Sequence, residues 1–396
     1  MQAAVAATED HQSAAALSGQ QRRMTAIRTY LDFNATAPLR AEARAAMLSA
    51  AEEAGNASSV HAEGRRARAI IEDAREAVSR LAGCEPAEVV FTSGATETNN
   101  WVTSADWDTI VYADIEHDSV LEPIEASRSA TIKMNVDQDG VADVSRVAEH
   151  VLIGSADLGR DLVTLQLANS ETGVLQDVAS IGAFCRAHGV TSHCDAVQAP
   201  GRVPIDFREL GVDLMSLSAH KLGGPQGIGA LIIRDGFDLK AAFRGGGQER
   251  RRRAGTENVA AIAGFGAAAT AAKHDLMAAE RMAAMRDRLE QGMLEGLPDA
   301  VAIGAAVRRL PNTTCVAVPG QKAETLVIKL DLAGYAISAG SACSSGKVGN
   351  SRALAAMGVS KARANAAIRV SLGWTTSETS LEPFLTTWRR VTGVSA

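Results

Sequence analysis

The chain has 396 residues, 46% of them hydrophobic and 22% charged, with 35 glycines and a formal net charge of −6. That length buries one large core or two moderate ones, and so mild an acidic balance gives no sign of a nucleic-acid partner or an anionic membrane surface. No apolar run approaches the roughly 20 residues that span a bilayer.

Residues 1–25 are rich in small residues and place Glu9 and Asp10 where a signal peptide needs a basic start and an apolar run, so they are expected to be a disordered extension, with Met24 an alternative start. From Ile27 onward the pattern alternates. EVVFTS (88–93), TIVYAD (109–114), TIKMNV (131–136), LVTLQLAN (162–169), GVTSHCD (189–195), VDLMSLS (212–218) and GALIIR (229–234) read as strands. Helical periods cover 67–83, 178–189 and 256–277, which predicts an α/β domain with a mostly parallel sheet covered by helices on both faces. A helix at 278–296, strands at 313–318, 335–338 and 367–373, and helices at 323–334 and near 380–392 predict a smaller α+β domain. The expected division is 26–277 for the large domain and 278–396 for the small one, with 26–45 able to pack on the latter.

The five cysteines, Cys84, Cys185, Cys194, Cys315 and Cys343, are odd in number and form no CxxC pair. That argues against a disulfide framework or a structural zinc site and for the reducing cytoplasm.

Lys221 lies in SLSAHKLGGPQGIGA, after a strand and before a glycine run, at the sheet edge where open α/β folds bind ligands. A lysine fixed there can lose its proton and form a Schiff base, although such a triplet by itself is far more often a solvated loop lysine. FTSGATETNN (91–100) is a strand running into a helix, which aims free amides and the positive dipole end at an anion; its plain reading is a helix cap at Ser93 or Thr96. Asp195 ends another strand. It cannot share a metal ion with His193 and Cys194, because adjacent strand residues face opposite ways. An anion cup, an aldehyde-trapping lysine and a lone acid are the requirements of pyridoxal 5'-phosphate (PLP), whose ring nitrogen the acid would hold protonated.

The stretches YLDFNATAPL, FTSGATETNN, EHDSV, NSETG, HCDAVQAPGRVPID, SAHKLGGPQGIGAL, GGGQERRRRAGTEN, SAGSACSSG and IRVSLG occur in order between Tyr30 and Trp374. Together they resemble the cysteine desulfurases that feed iron-sulfur cluster assembly, enzymes of the class V aminotransferase group with the type I fold of PLP-dependent transferases. The resemblance implies that Lys221 carries the cofactor, Asp195 faces the ring nitrogen, His117 stacks on the ring and moves protons, and Gln198 reaches the phenolic oxygen. It places Ala95, Thr96, Ser218 and His220 on the phosphate, Asn169 beside the cofactor, and Asn34, Asn169 and Arg369 at the substrate carboxylate. Thr256 would complete the phosphate site of a second subunit, so a homodimer is implied. Arg250 to Arg253 depart from the usual pattern at Arg251 and are expected to form an exposed face.

Cys343 sits in SAGSACSSGKVGN among serines and glycines, with Lys347 near enough to favour a thiolate. The resemblance implies that it takes sulfur from L-cysteine, leaving L-alanine and a persulfide for an iron-sulfur scaffold or another acceptor protein. The alternative is a selenocysteine lyase or another class V aminotransferase or lyase, for which Cys343 is not needed.

Overall fold

The computed structural model describes residues 28–53, 55–145, 147–149, 160–340 and 351–394. The expected 1–25 extension, Met24, Cys343 and Lys347 lie outside them.

The described chain enters through a two-residue strand, β1 (Thr29–Tyr30), and continues into helices α1 (Ala41–Glu52) and α2 (Ala62–Ala82). Seven strands then build the main sheet: β2 (Val89–Thr92), β3 (Thr109–Ala113), β4 (Ala130–Met134), β5 (Asp161–Thr164), β6 (Thr191–Asp195), β7 (Leu214–Ser218) and β8 (Gly229–Ile233). Their order is β2-β8-β7-β6-β5-β3-β4, and β8 runs antiparallel to both its neighbours while the other pairs are parallel. Strands β2, β5, β6, β7 and β8 are buried along their whole length, which explains the near-continuous apolar sequence of β2 and β8, whereas the polar run Thr191–Asp195 of β6 is buried all the same.

Alternate residues feed two cores. Val111, Val163, Met215 and Leu217 pack with Ile71 and Val78 of α2, Ile181 of α5 (Val178–His188) and Phe265 of α6 (Val259–Asp275). Ile110, Leu162, Leu214 and Leu231 face the other way, toward Trp101 of α3 (Ala95–Thr103) and Leu121 and Ile124 of α4 (Asp118–Ala126).

Caps account for helix ends that periodicity misplaces. Helix α2 starts five residues before the expected position because the His61 ring accepts from Gly64 N at 3.3 Å. Helix α6 starts at Val259 because the Asn258 side chain accepts from Ala261 N at 3.1 Å.

A second, antiparallel sheet follows in the order β12-β13-β10-β9, from β9 (Val301–Ala302), β10 (Thr313–Ala317), β12 (Ser338–Ala339) and β13 (Ala367–Ser371). It packs on α7 (Ala279–Leu294), α8 (Ala323–Leu332) and α9 (Leu381–Thr392) around Leu289, Met293, Val316, Leu326, Val370, Phe384 and Trp388. The run 335–338, read as one strand, divides at Ile337: β11 (Tyr335–Ala336) pairs in parallel with β1, and β12 pairs with β13. The start of the chain is thereby fixed to the second sheet, and Leu31 joins its core. This crossing carries Asn34 and Ala35 to the carboxyl edge of the main sheet, facing Lys221.

Candidate active site

The carboxyl ends of β5, β6 and β7, the start of α3 and residues 35–36 enclose a cavity of about 530 Å³, within the usual size of a small-molecule site. Lys221 ends a single tight turn after β7, and its Nζ donates to Asn34 O at 2.6 Å and Ala35 O at 3.0 Å. Ser218 and His220 flank it on the wall. The His220 ring meets Thr36 Oγ1 at 3.1 Å, and burial, with the charge of Lys221 adding, lowers it to about 4; the ring is neutral at neutral pH.

Opposite, β2 passes through Ser93 and Gly94 into α3. Gly94 has φ of 150° and ψ of 176°, a conformation that suits glycine, and a Cβ on Gly229 would strike Gly94 Cα at 2.7 Å. Two glycines therefore let β8 press against the turn that opens the helix. The first-turn amides of α3, at Ala95 and Thr96, line the cavity without intrahelical partners, as an anion site requires.

Asp195 ends β6 and is 7% exposed. Its Oδ2 accepts from Asn99 Nδ2 at 2.7 Å and its Oδ1 from Val197 N at 3.0 Å, so the carboxylate is fixed in orientation on the cavity wall. Asn99 also donates to Ser119 Oγ at 2.9 Å, and Ser119 holds His117: Nδ1 of the ring accepts from Ser119 N at 3.0 Å and meets Ser119 Oγ at 2.8 Å. With Nδ1 an acceptor, the proton of the neutral ring belongs on Nε2. Asn99 and Ser119 carry no motif signal of their own; a helical spacing of four from Ala95 is the one clue to Asn99. Glu116 is buried beside them, accepts from Gln166 N at 2.5 Å, and is driven well above the usual carboxyl range by burial and by the charge of Asp195.

The expected substrate residues are arranged differently. Asn34 is fully buried, and its side chain is spent on Ser170 O at 3.1 Å, Thr313 Oγ1 at 2.9 Å and Asn312 at 3.2 Å; its main-chain carbonyl is what meets Lys221. Asn169 Oδ1 accepts from Glu171 N and Thr172 N, both at 2.9 Å, and its Nδ2 donates to Ile115 O at 3.1 Å. Arg369, in the middle of β13, pairs with Asp32 Oδ1 at 2.8 Å and donates to Ser170 O at 3.1 Å. Ser170 lines the cavity, so Arg369 stands one residue behind the wall.

Thr256 is exposed and does not line this chain's cavity. It follows a loop in which Glu249, Arg250 and Arg251 have φ of 44°, 55° and 65°, left-handed values that cost side-chain-bearing residues about 1 kcal/mol or more each. Buried Arg75 grips Glu249 with two bonds of 2.8 and 2.9 Å, and Glu249 also accepts from Phe91 N at 2.8 Å. The arginine run is therefore only partly the solvated face expected of it. Arg251 is exposed, but Arg250 donates to Pro86 O and Ala87 O, and Arg253 makes a two-pronged pair of 3.0 and 3.1 Å with Glu97 of α3. Glu97 in turn accepts from Ser93 N at 2.8 Å, which ties the loop to the anion cup.

His193 is satisfied by two hydroxyls, Thr164 Oγ1 and Ser216 Oγ, both at 2.9 Å. Cys84, Cys185, Cys194 and Cys315 are free and buried, and burial raises three of these thiols, Cys84, Cys185 and Cys315, to about 12.

The aminotransferase class-V family model matches residues 29–384. The chain belongs to the class-V aminotransferase family. Among the similar members, a cysteine desulfurase of Cereibacter sphaeroides is 42% identical over 363 residues, 88% of this chain and 92% of that one. A cysteine desulfurase of Sinorhizobium fredii is 39% identical over 370 residues, 90% and 94% of the two chains. The crystal structure of a NifS-like protein from Rickettsia africae superposes with a TM-score of 0.85 at 32% identity, covering 93% of this chain and all of that one. The class-V assignment and the parallel sheet with its second antiparallel sheet agree with the type I fold of PLP-dependent transferases.

Proposed function

We propose that the protein is a PLP-dependent cysteine desulfurase that converts L-cysteine to L-alanine and leaves a persulfide on Cys343. The observation that carries the reading is the cavity itself: a lysine amine, a fixed buried carboxylate and a helix-start cup enclose one space of cofactor size. The donor set fits the group. Ala95, Thr96, Ser218 and His220 would hold the phosphate, Asp195 the protonated ring nitrogen, Gln198 the phenolic oxygen, and Lys221 the aldehyde. When bound, PLP supplies an aldehyde for amine exchange and a ring that draws electrons from the substrate.

The chain's own residues do the rest. Lys221 would hold the cofactor's aldehyde and its free amine would be the base for the substrate Cα proton; Asp195 would keep a proton on the ring nitrogen. His117, locked through Nδ1, presents Nε2–H to the cavity and shuttles protons there. Arg369 receives the substrate carboxylate by exchanging Asp32 for it, and Asn34 and Asn169 brace the loop it enters. Cys343 thiolate attacks the substrate sulfur; the S–S bond forms as the Cβ–S bond breaks, Cβ keeps the electron pair and takes a proton, and alanine leaves. Four of the five cysteines are buried, so elimination supports Cys343 as the attacking thiol.

The clamped 249–256 loop, which ends on the exposed Gly255 and Thr256, supports a homodimer in which Thr256 reaches the partner's phosphate site. Four unbridged cysteines support a reducing, cytoplasmic setting, and no helix among the described residues is long and apolar enough to cross a membrane. The core of the second sheet, separate from the two cores of the main sheet, supports the 26–277 and 278–396 division, with Leu31 carrying the start of the chain onto the smaller unit. The persulfide would pass to an iron-sulfur scaffold or a related acceptor protein.

Cys343→Ser tests the reading directly. The variant should keep the colour of bound PLP, whereas alanine formation and persulfide labelling should collapse. Normal alanine formation would point to a lyase that releases the sulfur or selenium species without this thiol.

A further inference from the structure

Arg202 is a buried charge that the chemistry above leaves unused. It is 8% exposed, and Nη2 donates to Phe33 O at 3.1 Å and Lys221 O at 3.4 Å, while Nη1 donates to Gln198 O at 3.1 Å and to the Gln198 side-chain oxygen. Every one of these acceptors is neutral, and among the described residues no carboxylate pairs with it. The charged groups around it are committed elsewhere: Asp275 to Arg40, across the small, mainly apolar cavity that Arg202 also lines, Asp32 to Arg369, and Asp195 to Asn99 and Val197 N. Burial, then the like charge of Arg369, lowers the guanidinium to about 9, so it is still a cation at neutral pH. A buried cation without an anion is costly to fold around.

Its hold on Gln198 has a direction. A guanidinium only donates, so the Gln198 atom facing it must be the amide oxygen. The NH2 group is turned the other way, where one hydrogen reaches Asn34 O at 3.1 Å and the other is left for the cavity that Gln198 lines.

We infer that Arg202 is a positioning residue for the cofactor's anionic ring oxygen: it locks Gln198 with its NH2 toward that oxygen and supplies the positive charge that the oxygen balances. The inference rests on the PLP reading of the cavity. Wild type, Arg202→Met, Arg202→Lys and Gln198→Glu are compared by pH titration of the absorbance of bound PLP, by PLP affinity, and by thermal unfolding of the cofactor-free proteins. Arg202→Met should move the titration midpoint of the lysine-linked nitrogen up by about one pH unit, because a cation that favours its unprotonated form is gone. Arg202→Lys should keep the midpoint near wild type but bind PLP more weakly, since the fork on Gln198 is lost. Gln198→Glu gives the guanidinium its missing anion: the cofactor-free protein should melt higher, while PLP binds about tenfold more weakly for want of the donor. An unchanged midpoint in Arg202→Met overturns the inference; should that variant not fold, a Gln198→Glu protein that melts no higher than wild type overturns it. A wild-type protein with no titrating, lysine-linked absorbance overturns the cofactor reading instead.

Discussion

The two walls of the cavity are built on opposite plans. On the main-sheet wall, Asp195 and His117 are held from behind by the helices that cover that sheet, through Asn99 of α3 and Ser119 of α4, and the α3 amides are set by the Gly94 turn. Their reactive faces are left toward the cavity. On the wall toward the second sheet, Arg369 and Asn34 are already bonded, to Asp32 and to Thr313. The first wall is ready for its ligand, whereas the second must trade one partner for another. Binding there registers only the surplus over the contact given up, a design that favours discrimination over tightness.

The largest effect should come from disarming the ready wall. Lys221→Ala should lower turnover by several orders of magnitude, and borohydride reduction followed by mass spectrometry should find the pyridoxyl group on residue 221 of the wild type and nowhere in the variant. A smaller loss is expected across the cavity: Arg369→Ala should cost about 2–5 kcal/mol in kcat/KM, seen mainly as a raised KM for cysteine. Near-normal rates at low cysteine would remove the carboxylate role. Asp32→Asn should do the reverse and so sharpen the contrast. It frees Arg369 for the substrate, lowering KM several-fold, while leaving a buried cation less well paired and the fold about 3 kcal/mol weaker by denaturant titration.

The mildest test is a pH effect. The Glu171 carboxyl is raised to about 7 by burial, against the opposing pull of Ser351 Oγ and Arg369. A carboxyl that binds its proton more tightly folded than unfolded adds stability that is complete below its ordinary value of 4.5 and is lost as pH rises through about 7. Glu171→Gln copies the protonated form, so its melting temperature should match wild type at the acid end and exceed it increasingly toward pH 8 (about one unit above the shifted value). An offset constant with pH would show that the carboxyl does not titrate in this window.

The main sheet, the cup and the lysine were legible in the sequence because each is a local event: an apolar run, a glycine turn and a capped helix within some ten residues. The pairing of Asp32 with Arg369 was not, since 337 positions separate them and a strand arginine has no pattern that names its partner. The split of 335–338 escaped for the same reason; alternation shows extended chain but not that two residues belong to β1 and the next pair to β13. Asn99 and Ser119 read as ordinary helix residues until the meeting of α3 and α4 shows what they hold. The arginine run misled because charge suggests solvent, whereas the backbone conformation of 249–251 turns Arg253 back onto Glu97.

Arg75 and Glu249 have a consequence for how such a sequence can drift. One lies on the plainest helix of the chain and the other in its most contorted loop, 174 positions apart, yet each is buried at 2% side-chain exposure against the other. Losing Arg75 strands the Glu249 carboxylate in the core, losing Glu249 leaves Arg75 only its pair with the more exposed Glu72, and either loss frees three left-handed residues to relax. Neither can be exchanged alone without penalty, so the helix and the loop evolve as one unit, and a lineage could leave this arrangement only by a paired replacement.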